Sequence, residues 1–352
     1  DAQSNPDKSM TVEEAPAKTS FTVSSSELAR QDVHVKIEVQ PQLIDAFNRK
    51  YGKNYRVPAE NCYAISATET VIEAGFSTSS PVEFTVTSID GFAEGVTYCV
   101  PVSITSVSGG MRVLVPSRTL YIVLKTPVIS KAIYLGSGNV YKVPSFQEDT
   151  NLAALPQLTL EARVYMERFA SSDPYISSIM GIEGVCGVRF GDVKIDPNVL
   201  QICHGDYQPA ATDKPFDTEK WYHVAAVWTG SSWDIYIDGI YATGVPTQGE
   251  TVDLSSDNSG GFYLGASYGG GRYMYGYIAE ARVWTRALSQ SEIANNMNYV
   301  DPASDGLLAY WRMNAWEPKE SGSGNIVRDL TGHGYDAIGD SSNPTMMDTK
   351  WN

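Results

Sequence analysis

The sequence has little positive charge and no long apolar run. Its 352 residues carry 41 acidic and 26 basic side chains, which gives a net charge of −15. Such a chain repels phosphate backbones, because nucleic-acid binding depends on Lys and Arg side chains that displace counterions. No stretch reaches the roughly 18 consecutive apolar residues of a membrane helix, and residues 1–19 lack the apolar core of a signal peptide. We therefore expect a soluble chain without a nucleic-acid partner.

Cysteine and histidine are scarce, with four residues of each type. The cysteines, at positions 62, 99, 186 and 203, do not follow a zinc-binding spacing, and their number is compatible with one disulfide in each half. Cys186 and Cys203 lie on two β-rich segments joined by a turn. A hairpin centred between Lys194 and Ile195 places the two thiols opposite each other, whereas one centred on Pro197 does not. Register thus decides whether a Cys186–Cys203 disulfide forms.

Alternation of apolar and polar residues is the dominant pattern, and it predicts an all-β fold. Val33–Val39 alternates with period two, as a half-buried strand does. Pro41 at a first helical position and Gly52 as a stop then predict one short amphipathic helix. Composition divides the chain into a flexible leader over residues 1–18, a small N-terminal β-sandwich with that helix over 19–127, and a larger domain over 128–352.

The larger domain contains eight or more strand candidates, which together favour a jelly roll. Asp238-Gly239 separates two short apolar segments and is the residue pair that a two-residue type I′ hairpin requires, because both positions take positive φ. Ser289 and Glu292 have the spacing of a capping box and predict the start of a short helix.

Several segments of this domain occur in the order found in a known family: Lys220–Trp228, Trp233–Gly239, Phe262–Gly265, Tyr277–Trp284 and Leu308–Trp311. On these segments, the domain resembles laminin-G-like, concanavalin-A-like domains from about residue 132 to the end. This resemblance implies a jelly-roll sandwich that binds glycans or proteins, in some members with calcium.

The first domain contains three motifs of a second known family: Asp45–Asn48 with Tyr55 and Pro58, Ile72–Gly75, and Gly95–Ile104. On these motifs, the domain is similar to a domain of unknown function that precedes carbohydrate modules in Bacteroides-type surface lipoproteins. This resemblance implies export, a lipid anchor and display at the cell surface as an outer-membrane lipoprotein.

Catalytic signals are weak. Glycosidases of this fold place carboxylates on one strand in a Glu-x-Asp-x-x-Glu pattern, and none occurs in this sequence. Glu161 and Glu280 each stand two residues before an Arg on a strand, so cross-strand ion pairs on a charged sheet face are the expected arrangement. No histidine lies in a nucleophile elbow. We therefore expect no enzymatic activity; a glycoside hydrolase with an atypical acid pair is the weaker alternative.

Two loops contain residue types that suit a sugar ligand. Glycines 269–271 let the backbone approach closely, and a sugar presents C–H faces to aromatic rings and hydroxyls to polar groups. The predicted ligand-binding residues are Asp206, Tyr207, Tyr268, Arg272 and Tyr273. Calcium is not firmly implied, but Asp253, Asp257 and Asn258 are candidate oxygen ligands.

Together these features predict a non-catalytic cell-surface protein that binds a poly- or oligosaccharide, supporting capture of polysaccharide or glycoprotein glycans. A protein-binding adhesion or scaffold module is the alternative, since related domains also bind proteins and an acidic surface suits a basic partner.

Overall fold

The computed structural model describes residues 6–269 and 271–351. These residues form two compact units, one running to Val128 and the other spanning Ile129–Lys350. Both units consist mainly of strands, which confirms the predicted all-β class. No helix in the described ranges is long and apolar enough to cross a membrane.

The first unit is a small β-sandwich. Its elements are β1 Asp7–Thr11, β2 Ala17–Phe21, β3 Val33–Val39, α1 Ile44–Tyr51, β4 Tyr63–Ile65, β5 Glu69–Ile72, β6 Val82–Val86, β7 Tyr98–Val107 and β8 Thr119–Lys125. A five-stranded sheet in the order β1-β8-β7-β3-β5 faces a three-stranded sheet in the order β2-β6-β4, and their inner side chains form one apolar core.

The prediction of a flexible leader over residues 1–18 is wrong for residues 6–18, the part that the structure describes. Strand β1 pairs in parallel with β8, and β2 pairs antiparallel with β6 from Ala17 onward. Polar composition misled the prediction because backbone hydrogen bonds, which composition does not report, hold these strands to the two sheets. Residues 1–5 lie outside the described residues.

The predicted helix is present. A 3₁₀ turn over Pro41–Leu43 leads into α1, and Gly52 ends the helix in the left-handed conformation, at φ 61°. Phe47 on α1 packs against Cys99 and Val123 of the five-stranded sheet. The helix therefore covers the outer face of that sheet.

The second unit contains two larger sheets. The strands and helices are β9 Val128–Leu135, β10 Tyr141–Lys142, α2 Ser145–Glu148, β11 Leu158–Arg168, β12 Ser177–Gly181, β13 Gly187–Asp192, β14 Ile195–Cys203, β15 Trp221–Trp228, β16 Ser232–Ile237, β17 Ile240–Pro246, β18 Tyr263–Leu264, β19 Tyr275–Trp284, α3 Gln290–Asn295, β20 Leu307–Trp311, β21 Glu317–Pro318, β22 Asn325–Val327, β23 Ala337–Gly339 and β24 Met346–Trp351. One sheet follows the order β14-β13-β12-β18-β10-β23-β22-β21, and the other follows β17-β16-β15-β11-β19-β9-β24, with β20 also pairing with β19.

The space between these sheets holds the main core of the second unit. Alternate residues of β11, such as Leu160 and Val164, pack there with Phe190 from β13 and Trp228 from β15. The arrangement is the predicted sandwich of two antiparallel sheets.

The outer face of the β11-containing sheet is partly covered as well. Helix α3 contributes Ile293 to a second apolar cluster, in which Val227, Trp284 and Tyr310 are also buried. The predicted capping box starts this helix: the Ser289 side chain accepts from the Glu292 backbone N–H, and the Glu292 side chain accepts from that of Ser289. We call residues 285–306 the covering segment.

Two local predictions had different outcomes. Asp238 and Gly239 form the expected two-residue hairpin turn, with φ values of 49° and 74°. All four cysteines are free and buried, so the Cys186–Cys203 disulfide is not formed. A register irregularity after Phe190 places Cys203 opposite Gly187, one position away from Cys186.

Candidate functional site

A polar cluster lies in the loops at one edge of the second unit, centred on the carboxylate of Glu183. Glu183 Oε1 accepts from Arg272 Nη1 at 2.6 Å and from Arg189 Nη1 at 3.0 Å, and its Oε2 accepts from Ser267 Oγ at 2.9 Å. We call Glu183, Arg189, Ser267, Tyr268 and Arg272 the rim cluster. It joins the β12–β13 turn to the β18–β19 loop, which brings together residues that are distant in the chain.

The β18–β19 loop is folded so that Tyr268 and Arg272 lie together. Ser267 and Gly271 exchange backbone hydrogen bonds, and both Tyr268 and Arg272 adopt positive φ, at 50° and 51°. Non-glycine residues rarely adopt this conformation, and such positions concentrate at functional sites. The Arg272 guanidinium lies 4.7 Å from the Tyr268 ring centroid. Gly270, one of the glycines noted in the sequence, lies outside the described residues.

Exposure within the rim cluster is graded. Tyr268 is 65% exposed, whereas the side chains of Arg272 and Glu183 are 22% and 15% exposed. Arg189 is nearly buried and also binds Asp192 at 2.5 Å. A fixed guanidinium beside an open aromatic ring can donate hydrogen bonds to a hydroxylated ligand while the ring contacts its C–H face. The cluster therefore has the chemistry of a small saccharide site.

Tyr273 follows Arg272 in sequence but is placed differently. Its ring packs against Val140, Tyr263 and Ala266, and its backbone pairs with Ser178. The structure thus places Tyr273 in the packing below the loop and does not join it to the exposed ring of Tyr268.

Asp206 and Tyr207 lie in a neighbouring turn. The turn is closed by backbone hydrogen bonds between His204 and Tyr207, and Gly205 N–H donates to the carbonyl of Gly184 at 3.0 Å. This loop therefore contacts the same β12–β13 turn that carries Glu183. Asp206 is exposed, while Tyr207 is half-buried against the main core.

His204 belongs to the packing of this turn. Its Nδ1 accepts from Trp233 Nε1 at 2.8 Å. Burial lowers the pKa of His204, an effect that the nearby Glu250 carboxylate partly opposes. A neutral imidazole at pH 7 therefore holds the loop in place as a hydrogen-bond acceptor.

The three candidate calcium ligands have different surroundings. Asp253 Oδ1 accepts from the backbone and hydroxyl of Ser255, and the Asn258 amide donates to the backbone carbonyl of Glu183 at 2.7 Å. Asp257 is exposed. Across residues 6–269 and 271–351, no three His, Cys, Asp or Glu side chains are grouped as a metal site would need.

Glu161 and Glu280 are placed in a second charged cluster, which is buried. As the Glu-x-Arg spacing on the two strands predicts, Glu161 pairs across strands with Arg282, at 3.0 Å between Oε1 and Nη1. Glu280 accepts from Arg282 Nη2 at 3.0 Å, from Arg312 Nε at 3.1 Å and from the Tyr310 hydroxyl. We call Glu161, Glu280, Arg282, Tyr310 and Arg312 the buried network.

The expected charged sheet face is therefore not open to solvent. Glu161 is 1% exposed, and Glu280 and Arg282 are 0% exposed. The covering segment closes this face: Arg163 donates to the carbonyl of Met297 at 3.1 Å and to the side chain of Asn298. A saccharide has no access to these two carboxylates.

Electrostatics fixes the charge state of the network. Burial opposes ionisation of Glu161, but Arg282 and then His223 hold the pKa of its carboxyl down at about 2. Burial lowers the pKa of His223 in spite of the neighbouring carboxylate, so its imidazole is neutral at pH 7. Glu161 therefore stays ionised as a structural counter-ion to Arg282.

Sequence reasoning missed Glu183, the centre of the rim cluster. Arg272 lies 89 residues from it in the chain, and no local spacing rule links residues so far apart. The only sequence signal was its position in the apparent turn Glu183-Gly184.

Solved structures of other proteins resemble the structure of this chain. A crystal structure of a Bacteroides ovatus protein, proposed to bind carbohydrate, matches with 25% identity and a TM-score of 0.62, covering 98% of this chain and 97% of that one. A heptameric pentraxin from Limulus polyphemus matches with 18% identity and a TM-score of 0.34, over 47% of this chain and 80% of its own.

A third similar structure is domain 4 of an extracellular arabinanase from Geobacillus stearothermophilus, at 17% identity and a TM-score of 0.33, over 41% of this chain and 66% of that one. The pentraxin and arabinanase scores are too low to carry functional information. No protein of curated function matches the chain in sequence.

Family models match both units. Residues 2–111 match a model described only as an N-terminal domain, and residues 135–294 match the model of the concanavalin A-like lectin/glucanases superfamily. Together with the two-sheet sandwich that these residues form, the match shows that the second unit has a concanavalin A-like fold.

Proposed function

We propose that the second unit binds a saccharide at the rim cluster and does not cleave it. The observation that carries this proposal is the likeness to the Bacteroides ovatus protein, which extends over nearly the full length of both chains. A likeness of that extent includes both units, whereas the fold alone is shared by lectins, hydrolases and protein-binding modules.

The rim cluster supplies the chemistry for such a ligand. Tyr268 offers an open ring, and Arg272 is held beside it by Glu183, so the site loses little side-chain entropy on binding. Each sugar hydroxyl exchanges water for a protein partner with little net gain. We therefore expect dissociation constants between about 10 μM and 1 mM, which correspond to roughly −7 to −4 kcal/mol.

The placement of the two candidate carboxylates supports the proposal that the second unit does not cleave its ligand. A glycosidase needs an acid and a second carboxylate on either side of the scissile bond, roughly 5–10 Å apart. Glu161 and Glu280 are instead buried and bound to Arg282, beneath the covering segment. Neither can reach a glycosidic oxygen unless that segment opens.

The proposal extends to the cell surface, with the protein exported and held by a lipid anchor. Support comes from the resemblance of the first unit to domains of Bacteroides-type surface lipoproteins. Protease treatment of intact source cells, followed by immunoblotting, tests this location. Digestion on intact cells is the expected result, and protection until lysis contradicts it.

Binding is tested on a glycan array and then by calorimetric titration, in calcium and again in a chelator. Tyr268→Ala and Arg272→Ala should each weaken binding at least tenfold, because each removes one half of the site. Tyr241→Ala is the matched control, since Tyr241 is also exposed, at 47%, and lies on β17 away from the rim. If the protein binds no saccharide but retains a protein from a lysate of its natural surroundings, the scaffold alternative replaces the proposal.

A further inference from the structure

Four aromatic side chains form a continuous row across the outer face of the β11-containing sheet. Tyr134 on β9 is paired in register with Tyr277 on β19, Tyr277 with Tyr165 on β11, and Tyr165 with Trp221 on β15. We call these four residues the aromatic row. Each has core-facing neighbours in its strand, so alternation turns all four rings outward.

The rings contact one another along the row. Their centroids are 5.2 Å apart for Tyr134 and Tyr277, 6.0 Å for Tyr277 and Tyr165, and 5.4 Å for Tyr165 and Trp221. The first two pairs are edge to face, at 74° and 73°, an arrangement that does not stack the ring faces against each other. All four residues are partly exposed.

The row runs along the border of the covering segment. Arg163, two residues from Tyr165 on the same face, is half-buried and donates to the carbonyl of Met297 and to the side chain of Asn298. The aromatic row occupies the next rung of the sheet, where each ring is partly exposed. The row spans three interstrand spacings, or roughly 14 Å, which is longer than one sugar ring and suits a chain.

Polar groups flank the row. Burial and, after it, the nearby Glu167 carboxylate raise the pKa of Tyr134. Burial and Glu167 also raise the pKa of Tyr277, so both phenols stay neutral at pH 7. On the other side of Glu167 in sequence, the Arg168 guanidinium lies 3.9 Å from the ring centroid of Tyr275.

The charges beside the row decide which ligand fits. The Glu167 carboxylate and the Arg168 guanidinium offer an acceptor and several donors, which matches a ligand rich in hydroxyls. A polyanion would meet the net charge of −15 and is disfavoured. A row of rings whose faces are not stacked on each other matches the apolar faces of successive sugars.

From this geometry we infer that the aromatic row is a second saccharide site, which holds an extended, neutral polysaccharide chain along Tyr134, Tyr277, Tyr165 and Trp221. The inference rests on the proposed function and adds to it a site for the body of a chain. Two sites on one domain raise the effective affinity for a polymer above that for a short oligosaccharide.

Affinity gel electrophoresis tests the inference, with native gels that contain soluble galactomannan, arabinoxylan, mixed-linkage glucan or yeast mannan. The double variant Trp221→Ala and Tyr134→Ala removes the two ends of the row. We expect this double variant to bind at least fivefold more weakly to the polymer that retards the unmodified protein. Trp221→Phe with Tyr134→Phe keeps the rings and should stay within twofold of the unmodified protein, which separates ring contact from loss of fold.

Controls distinguish failure of this inference from failure of the proposed function. Tyr241→Ala should migrate like the unmodified protein, and thermal unfolding should show that every variant is folded. If the double alanine variant is folded and retarded as strongly as the unmodified protein, the row is not a site, although rim binding stands. If no gel retards the unmodified protein while the glycan array shows a bound saccharide, this inference falls and rim binding stands; if neither assay shows binding, both proposals fall.

Discussion

The second unit contains two Glu–Arg clusters that differ in their access to solvent. In the buried network, Arg282 is fully enclosed and lies between Glu161 and Glu280. In the rim cluster, Glu183 lies between Arg189 and Arg272, with an exposed ring beside it. The same pair of residue types therefore serves structure in one place and is available to a ligand in the other.

Burial decides this difference. A buried ion pair is costly to break, because removing one partner leaves an uncompensated charge in a low-dielectric environment. A partly exposed pair can exchange a partner for water or a ligand hydroxyl at a smaller cost. The two clusters should therefore respond differently to the same kind of substitution.

The largest effect is expected for Arg282→Met. The substitution leaves Glu161 and Glu280 without their shared guanidinium, so we expect a loss of about 3–5 kcal/mol in the free energy of unfolding. Urea titration followed by tryptophan fluorescence measures it. Arg328→Met is the control, since Arg328 is 53% exposed and pairs only at the surface with Glu317 and Asp336. If both substitutions lower the free energy of unfolding by a similarly small amount, the network has no structural role.

The pH dependence of stability comes next in size. Because the pKa of Glu161 is about 2 in the folded protein and about 4.3 when unfolded, the unfolded chain takes up the proton first as the solution is acidified. The stabilisation is therefore complete above pH ~5 and is lost progressively towards pH ~2. His223 acts in the same direction below its unfolded pKa, because burial lowers its pKa.

Glu161→Gln should flatten this dependence as well as lower stability at pH 7. The measurement is the urea midpoint at pH 7, 5 and 3.5. Glu148→Gln, at an exposed position at the end of α2, should keep the slope of the unmodified protein. Identical slopes in both variants would show that another group causes the loss in acid.

A smaller effect is expected for Glu183→Gln in the rim cluster. Arg189 keeps Asp192 and Gln201 as partners, so the loss should be about 1–2 kcal/mol. Saccharide affinity should fall far more, because Arg272 is no longer held beside Tyr268. Calorimetric unfolding and titration of the same variant check both parts. A stability loss as large as that of Arg282→Met would mean that the rim is structural.

The smallest effect is expected for Ser289→Ala, which removes the cap of the helix that helps to cover the buried network. Loss of such a cap costs about 1 kcal/mol and should leave saccharide binding unchanged. Gln290→Ala, one residue further along, is the control. Unfolding in urea and titration with the bound saccharide provide the two readouts.

Features determined by neighbouring residues could be predicted from the sequence. The Asp238-Gly239 turn and the Ser289 capping box depend only on local backbone geometry and side-chain reach, and both are confirmed. The sandwich of the second unit followed from alternation and from motif order.

Features determined by pairing between distant segments could not be predicted. The register of Cys186 and Cys203 depends on an irregularity at Gly191, where φ is 70° and a Cβ would lie 2.2 Å from the carbonyl oxygen of Tyr175. The role of β1 depends on a partner strand more than 100 residues away, and burial of Glu161 depends on the covering segment. Alternation of apolar and polar residues shows which residues share a face of the sheet, but not which segment of the chain covers that face.

On our account, the second unit binds a glycan without cutting it. The most direct test incubates the protein for a day with the saccharide that it binds and then analyses that saccharide by mass spectrometry and a reducing-end assay. We predict that the ligand is recovered intact, with no new reducing ends. Release of reducing ends that disappears in Glu161→Gln or Glu280→Gln would contradict a purely structural role for the buried network.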